Sequence, residues 1–191
     1  MDLTVTYFEQ TGKLNTENVL NIAKKHAKKF NIKNIIIAST TGYTGLKATE
    51  FFDSADYNLV VVSHSAGFKE RGFQELGGEE RHAIEERGAN VLTCTHAFAG
   101  VERAFRFKLN MWQPVETFAR TVRFVFGEGI KVVMEITMMA ADAGLITLDE
   151  DVIAIAGTGR GADTACIIKP EYTSNFLDMR LKAILCKPFN F

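Results

Sequence analysis

Continuous apolar runs alternate with helical stripes through the middle of the chain. Residues 34–40 (NIIIAST), 58–65 (NLVVVSHS) and 90–96 (NVLTCTH) are apolar at successive positions, which is typical of strands buried on both faces of a parallel sheet. The segments between them, at roughly 44–53 and 79–89, have the spacing and the closing glycine of helices. Strands that alternate with helices predict parallel strands joined by crossover connections.

Residues 151–170 (DVIAIAGTGRGADTACIIKP) break this alternation, because they form two strand patterns around a glycine-rich loop. About seven residues join the two strands, too few for a crossover helix, so we expect antiparallel neighbours. The remaining predicted elements are a strand at 3–8, a helix that begins within 15–18, helices near 98–109, from Pro114 and at 131–144, and an edge-type strand at 179–187. The pattern predicts a single α/β domain over 1–191, a three-layer α/β/α sandwich whose mostly parallel mixed sheet carries an antiparallel hairpin near the C-terminus.

Composition narrows the class of protein. The chain is 47% hydrophobic and 24% charged, with a net charge of −1, as expected for a globular protein with a core but without a basic field for nucleic acid or an anionic membrane. The sequence has neither a signal-peptide pattern nor an 18-residue apolar stretch. Cys94, Cys166 and Cys186 lie in strand-like runs without metal-ligand spacing. We therefore expect reduced, buried thiols, a cytoplasmic location and no metal site.

Each of the four core strands is followed by a loop rich in glycine, serine and threonine. These loops are 39–45 (STTGYTG), 63–68 (SHSAGF), 95–100 (THAFAG) and 157–164 (GTGRGADT). Ligands of such sheets bind outside the carboxyl ends of the strands, where the strand order reverses. Glycines let backbone N–H groups approach a ligand closely, and a helix N-terminus favours anions. The convergence of four such loops favours a phosphate-containing small molecule as the ligand.

A well-capped turn is the competing interpretation of STTGYTG, since serine and threonine are good helix caps. No standard nucleotide-binding motif distinguishes a phosphate site from a capped turn. STTGYTG lacks the lysine of a P-loop, and GTGRGADT lies in a hairpin rather than before a helix. Arg160 is either the cation for a phosphate or ring carbonyl or an exposed loop arginine.

Several segments resemble a free-standing, largely archaeal family that is similar to the C-terminal α/β domain of pyruvate kinase. The resemblance rests on 15–20 (NTENVL), 38–48 (ASTTGYTGLKA), 67–72 (GFKERG), 126–132 (FGEGIKV), 133–144 (VMEITMMAADAG) and 159–170 (GRGADTACIIKP). It implies a protein that binds flavin mononucleotide (FMN) and has no established reaction. In pyruvate kinase the segment matching STTGYTG resembles the loop that holds a phosphate of the allosteric sugar bisphosphate. Because the catalytic domain of pyruvate kinase is absent here, the resemblance does not imply kinase activity.

The expected FMN site draws on three loops. The phosphate would bind to Ser39, Thr40, Thr41, Gly42, Thr44 and Gly45. The ribityl chain and the ring would contact His64, Ser65, Gly67 and Phe68. The hairpin would close the site with Gly157, Thr158, Gly159, Arg160, Gly161 and Asp163. Phe68 is equally well explained as a core residue.

Catalysis is not assigned by the sequence. Glu135 and Asp142 fall on one side of the apolar helix 131–144, and we favour a structural role in which they accept bonds from loop N–H groups, Arg160 or Arg103 over general acid–base catalysis. His64 and His96, at strand ends, are the better candidates for proton transfer because histidine titrates near neutrality.

Three functional hypotheses are compatible with these patterns. The first is an FMN-binding protein of unknown reaction, for which a redox enzyme is one candidate. The second is a non-catalytic sensor of a phosphorylated metabolite, like the allosteric domain of pyruvate kinase, and the third is a structural subunit whose partner carries the chemistry. The sequence is also compatible with a homo-oligomer.

Overall fold

A computed structural model describes residues 2–191 as one seven-stranded sheet covered by helices on both faces. The strands are β1 (Thr6–Phe8), β2 (Asn34–Ala38), β3 (Asn58–Ser63), β4 (Asn90–Thr93), β5 (Val152–Ala156), β6 (Thr164–Lys169) and β7 (Arg180–Pro188). The helices are α1 (Thr16–Phe30), α2 (Tyr43–Thr49), α3 (Gly78–Glu86), α4 (Glu102–Leu109), α5 (Pro114–Phe126) and α6 (Glu128–Asp142). Short 3₁₀ turns precede α1 and β7, at Lys13–Asn15 and Thr173–Asp178.

The strand order is β1-β7-β6-β5-β2-β3-β4. Strands β5, β2, β3 and β4 are parallel neighbours, whereas β6 is antiparallel to both β5 and β7. This arrangement confirms the predicted mixed sheet and its hairpin. The order of the parallel strands reverses between β2 and β5, because the chain moves outward from β2 to β4 and then returns to the other side of β2.

The prediction of an edge position for the last strand is wrong, because β7 lies between β6 and β1. Strand β1 is shorter than the predicted 3–8, and its three residues pair only with Cys186, Lys187 and Pro188. The first half of β7 therefore has one open side, and exposed Arg180 and Lys182 alternate there with half-buried residues. This alternation explains why the sequence is typical of an edge strand.

Two apolar cores lie on opposite faces of the sheet. On one face α1, α2 and α3 cover side chains such as Ile35, Ile37 and Val61, and on the other face α6 covers Ile36, Val60 and Ala154. Alternate residues of one strand thus point into different cores, as expected for a strand without a solvated face.

Helix α6 is the buried helix that the sequence predicts, although it begins at Glu128 rather than 131. Gly127, with φ +104°, separates it from α5. Gly129 allows α6 to approach β6, since a β-carbon there would clash with the Thr164 hydroxyl oxygen. The outermost helices, α4 and α5, pack on each other, and α5 packs on α6.

The cysteines differ in their surroundings. Cys166 and Cys186 are buried, and burial raises the pKa of the Cys186 thiol to about 12. Cys94 is only half-buried, contrary to the expectation for all three thiols. Among residues 2–191, no helix combines the length and the apolar character needed to cross a bilayer.

Candidate functional site

A cleft of about 620 Å³ opens at the carboxyl ends of β2, β3 and β5, where the strand order reverses. The loops that follow these three strands form its walls, and the buried face of α6 forms its floor. The loop after β4 contributes only His96. Three of the four strand-end loops therefore converge as predicted, and the fourth supplies a single side chain.

Most of the predicted site residues line this cleft. They are Ser39, Thr40, Thr41, Thr44, His64, Phe68, Gly157, Thr158, Gly159, Arg160 and Gly161. The other predicted residues are not part of the lining, namely Gly42, Gly45, Ser65, Gly67 and Asp163. The lining also includes residues that are not among those predicted for a site: Lys13, Ser63, Glu75, Arg123, Glu128, Lys131, Val132, Ile136 and Met139.

The loop between β2 and α2 combines a structural and an open part. The Ser39 hydroxyl accepts a hydrogen bond from the Gly45 N–H at 3.0 Å, so Ser39 satisfies a free N–H group in the first turn of α2. Thr40, Thr41 and Thr44 face the cleft. Thr44 is 4% exposed, and its hydroxyl has no hydrogen-bond partner within residues 2–191. The bond that closes the turn and the hydroxyls that face the cleft thus occur in the same loop.

Gly42 is required by the packing of this loop against α3. Its φ of +92° is unfavourable for other residues, and a β-carbon would lie 2.6 Å from the β-carbon of Glu80. A larger residue at position 42 would therefore disturb the fold as well as the cleft.

The hairpin loop between β5 and β6 is held from behind by buried Asp163. Its carboxylate accepts hydrogen bonds from the Gly12 N–H at 2.8 Å, the Thr158 N–H at 3.0 Å and the Thr164 hydroxyl at 2.8 Å. The hydroxyl of Thr16, at the start of α1, accepts a further bond from the Ala162 N–H. These contacts fix the loop so that exposed Arg160 stands at the rim of the cleft.

Two cations of the cleft have no carboxylate partner in the described part of the chain. They are Arg160 and Lys13, whose ammonium group lies 4.1 Å from the centre of the Tyr43 ring. The other basic side chains of the lining are paired, Arg123 with Glu128 at 2.6 Å and Lys131 with Glu135 at 2.5 Å. The unpaired positive charge favours an anionic ligand near the hydroxyl-lined end.

His64 and His96 each pair with a carboxylate at the other end of the cleft. His64 Nδ1 lies 2.7 Å from Glu75, and its Nε2 lies 3.4 Å from the Thr40 hydroxyl. Burial lowers the pKa of the His64 imidazole, and the hydrogen bond to Glu75 opposes that shift only in part. His64 is therefore mostly neutral at neutral pH, with one ring nitrogen directed at Glu75 and the other at the cleft.

The second pair is formed by His96 and Glu135. His96 Nδ1 lies 3.6 Å from Glu135, while its Nε2 accepts a bond from the Ser65 N–H at 3.3 Å. Burial by itself would raise the pKa of the Glu135 carboxyl, but the contact with His96 and the charge of Lys131 lower it to about 2. The rings of His64 and His96 are 5.2 Å apart, so both candidates for proton transfer meet in one cleft.

The two acids of α6 have separate surroundings. Glu135 accepts a hydrogen bond from the Phe98 N–H at 3.0 Å, and exposed Asp142 accepts bonds from the N–H and the hydroxyl of Thr173. These contacts confirm that both acids bind loop N–H groups. Neither Arg103 nor Arg160 is hydrogen-bonded to these acids, so the observed partners are the first of the predicted alternatives.

Phe68 lies among three protein groups. Its ring stacks on His96 with centroids 4.6 Å apart and planes at 18°, and the His64 centroid is 4.1 Å away. The Arg103 guanidinium lies 3.8 Å from the ring centre and donates to the Phe68 carbonyl. Stacking of a ligand ring on Phe68 would therefore require Arg103 to move.

Comparison with known proteins identifies a family. The model of a family described as "Pyruvate kinase, alpha/beta domain" matches residues 17–168. A crystal structure of a pyruvate kinase from Cryptosporidium parvum is 14% identical and covers 73% of this chain and 20% of that chain, with a TM-score of 0.42. The structure of the same organism's pyruvate kinase in complex with ADP is 13% identical and covers 89% of this chain and 23% of that chain, with a TM-score of 0.41. The chain thus spans about a fifth of the length of these enzymes.

Proposed function

Because the chain belongs to the pyruvate kinase alpha/beta-domain family, we propose that it is a non-catalytic regulatory domain whose cleft binds a phosphorylated small molecule. One observation carries this proposal. The hydroxyls of Thr40, Thr41 and Thr44 line the same cleft as Lys13 and Arg160, two cations without a carboxylate partner among residues 2–191.

The chemistry of these groups suits a phosphate. A phosphate offers several acceptor oxygens and negative charge, so it would satisfy the nearly buried Thr44 hydroxyl and neutralise the two cations. Each hydrogen bond between a charged group and the ligand would contribute roughly 1.5–3 kcal/mol. The paired acids Glu128 and Glu135 would repel the phosphate less than free acids, because Arg123 and Lys131 already compensate their charges.

FMN is a second candidate for the ligand, favoured by the combination of a hydroxyl-lined end and an aromatic wall in one cleft. The cleft volume of about 620 Å³ lies within the range of roughly 300–1,000 Å³ usual for small-molecule sites. The threonines of the β2–α2 loop would hold the phosphate, and His64 and Phe68 would lie beside the ring. A bound flavin would supply electron-transfer chemistry. The residues fit the phosphate end of FMN without change, whereas the ring end requires Arg103 to move from Phe68.

Thermal unfolding with three ligands tests these proposals. Binding to the native state alone adds about 2.7 kcal/mol at a ligand concentration of 100 Kd, which raises the midpoint of a domain of this size by roughly 5–10 °C. A sugar bisphosphate should produce this shift if the domain senses a phosphorylated metabolite. FMN should produce it, and riboflavin much less, if the cleft holds a flavin by its phosphate.

Two threonines of α2 provide a matched pair of variants. Thr44→Val removes the hydroxyl that faces the cleft and should reduce the shift, whereas Thr49→Val removes a hydroxyl that bonds to Leu46 on the same helix, outside the cleft. Equal shifts from FMN and riboflavin would argue against phosphate binding by these threonines. No shift with any of the three ligands would contradict both candidates and favour a structural subunit.

A further inference from the structure

A second cavity, of about 340 Å³, lies beside the cleft between α4, α5 and Lys131 of α6. We propose that this cavity is a separate binding site for a small molecule with the chemistry of a nucleotide, in which a planar aromatic ring carries a phosphate group. Its principal lining residues are Arg103, Arg106, Arg120, Arg123, Lys131 and Trp112.

Charge is the first observation behind this proposal. Four arginines and a lysine line the cavity against one carboxylate, that of Glu116. Glu116 binds Arg106 through both of its oxygens at 3.1 Å. Arg103 and Arg120 have no carboxylate partner within residues 2–191. Arg123 and Lys131 are paired with Glu128 and Glu135, which lie outside this lining. The uncompensated positive charge of the cavity is therefore that of Arg103 and Arg120.

Half-buried Arg103 lies in surroundings that disfavour its charge. Burial lowers the pKa of its guanidinium and the neighbouring charge of Arg106 lowers it further, while Glu116 and Glu135 oppose the shift. A dianion placed between these side chains would reverse the repulsion, because guanidinium groups bind phosphate oxygens through two parallel N–H donors. A neutral or cationic ligand would leave the repulsion in place.

Aromatic surface is the second observation. The Arg120 guanidinium lies 4.4 Å from the centre of the Trp112 ring and 5.1 Å from that of Phe124. The Arg106 guanidinium also lies 5.0 Å from the centre of the Trp112 ring. Trp112 is nevertheless 44% exposed and Phe124 is 67% exposed, so each ring keeps surface that a ligand ring can contact. Stacking on an aromatic side chain favours a ligand that carries a planar ring.

The second cavity differs from the cleft in how it would recognise a ligand. Its lining contains no serine, threonine or glycine, whereas those residues dominate the walls of the cleft. Recognition would thus depend on guanidinium groups and ring stacking rather than on hydroxyls and backbone N–H groups. Phe68, His96, Arg123 and Lys131 line both cavities, so the two sites share a wall.

Trp112 makes the proposal directly measurable, because it is the only tryptophan of the chain and lines the second cavity. AMP and UMP, added to the full chain, should change its fluorescence saturably when excitation is chosen where the bases do not absorb. Adenosine and inorganic phosphate should bind much more weakly, since each lacks one of the two recognised groups. Arg120→Gln should weaken binding of AMP about tenfold or more, the effect of losing one charge-assisted hydrogen bond.

Matched variants separate this site from the cleft. Arg87→Gln changes an exposed arginine of the α3 end outside both cavities and should leave AMP binding unchanged, as should Thr44→Val in the cleft. Arg103→Gln provides a second variant of the cavity, and circular dichroism checks that each variant is folded. Absence of a saturable change with both nucleotides would overturn the proposal. Binding that Thr44→Val abolishes and Arg120→Gln preserves would also overturn it, because the nucleotide would then occupy the cleft.

Discussion

The two glycine-rich loops of the cleft have similar compositions but are held in different ways. The loop 39–45 is closed by a bond between Ser39 and Gly45, six residues apart. The loop 157–163 is held by bonds to Gly12 and Thr16 that span 151 and 146 residues. The side-chain bond that closes the first loop is local, although Gly42 also packs against Glu80 of α3. The bonds that hold the second loop require the start of α1 to be in place.

The most severe test of this comparison is Asp163→Ala. It leaves the buried N–H groups of Gly12 and Thr158 without their acceptor, so we expect a loss of about 3–5 kcal/mol in the free energy of unfolding. Urea denaturation followed by circular dichroism measures the loss. Asp163→Asn keeps one acceptor oxygen and serves as the control, with a smaller expected loss. A loss below about 1 kcal/mol for the alanine variant would mean that Asp163 does not hold the loop.

Two glycines of the same loop give the next largest effect. Gly161 has φ +75°, and a β-carbon there would lie 2.5 Å from the Lys13 Cα, whereas Gly159 has φ +76° with open space around it. Gly159→Ala should cost only the backbone strain, about 1–2 kcal/mol. Gly161→Ala should cost more, because the loop must also move away from the turn before α1. Equal unfolding midpoints in urea for the two variants would contradict the packing of the hairpin loop against the turn before α1.

A substitution in loop 39–45 is expected to lower the free energy of unfolding by a smaller amount. Ser39→Ala removes the bond to the Gly45 N–H and should lower the free energy of unfolding by about 1 kcal/mol, as for other helix caps. Hydrogen exchange of the α2 amides should accelerate more than that of β5 and β6 amides. Equal acceleration in both regions would show that the first loop depends on the rest of the site.

The smallest expected effect is the coupling between the loops. Ser39 and Gly161 have no shared hydrogen-bond partner, so the effects of Ser39→Ala and Gly161→Ala should add within about 0.5 kcal/mol. The double variant in the same urea experiment supplies the comparison. A larger coupling energy would show that the two loops form one cooperative unit and are not held independently.

Much of the fold follows from the sequence because its signals are local. Buried strands such as 34–40 and 58–65 are continuous apolar runs, and the short connection after β5 excludes a crossover helix. The position of β7 does not follow, because it depends on pairing with β1 across the whole chain. The edge position is wrongly predicted for β7 because its partner β1 is distant along the chain, not because its strand propensity is weak.

The residues of the candidate site also divide into those with a local sequence signal and those placed by long-range contacts. The threonines of 39–45 and Arg160 are predictable because they lie directly after core strands. Lys13 is not predictable in this way. It reaches the cleft because the turn that contains it packs against the hairpin loop, and no local sequence pattern indicates that contact. Lys131 and Glu135 carry a usable signal, since two opposite charges four residues apart in an otherwise apolar helix indicate a buried ion pair.

The position of β7 has a consequence for the order of folding. This strand fills the space between β6 and β1, yet it follows every other strand in the chain. During synthesis, β1 has no partner and β6 has an unpaired side until residues 180–188 leave the ribosome. The pairing of Thr6 with Cys186 also gives the sheet a high contact order, which slows folding. Until β7 is made, a nascent chain of this protein therefore exposes an unpaired β1 and an open side of β6, and open strand edges favour aggregation.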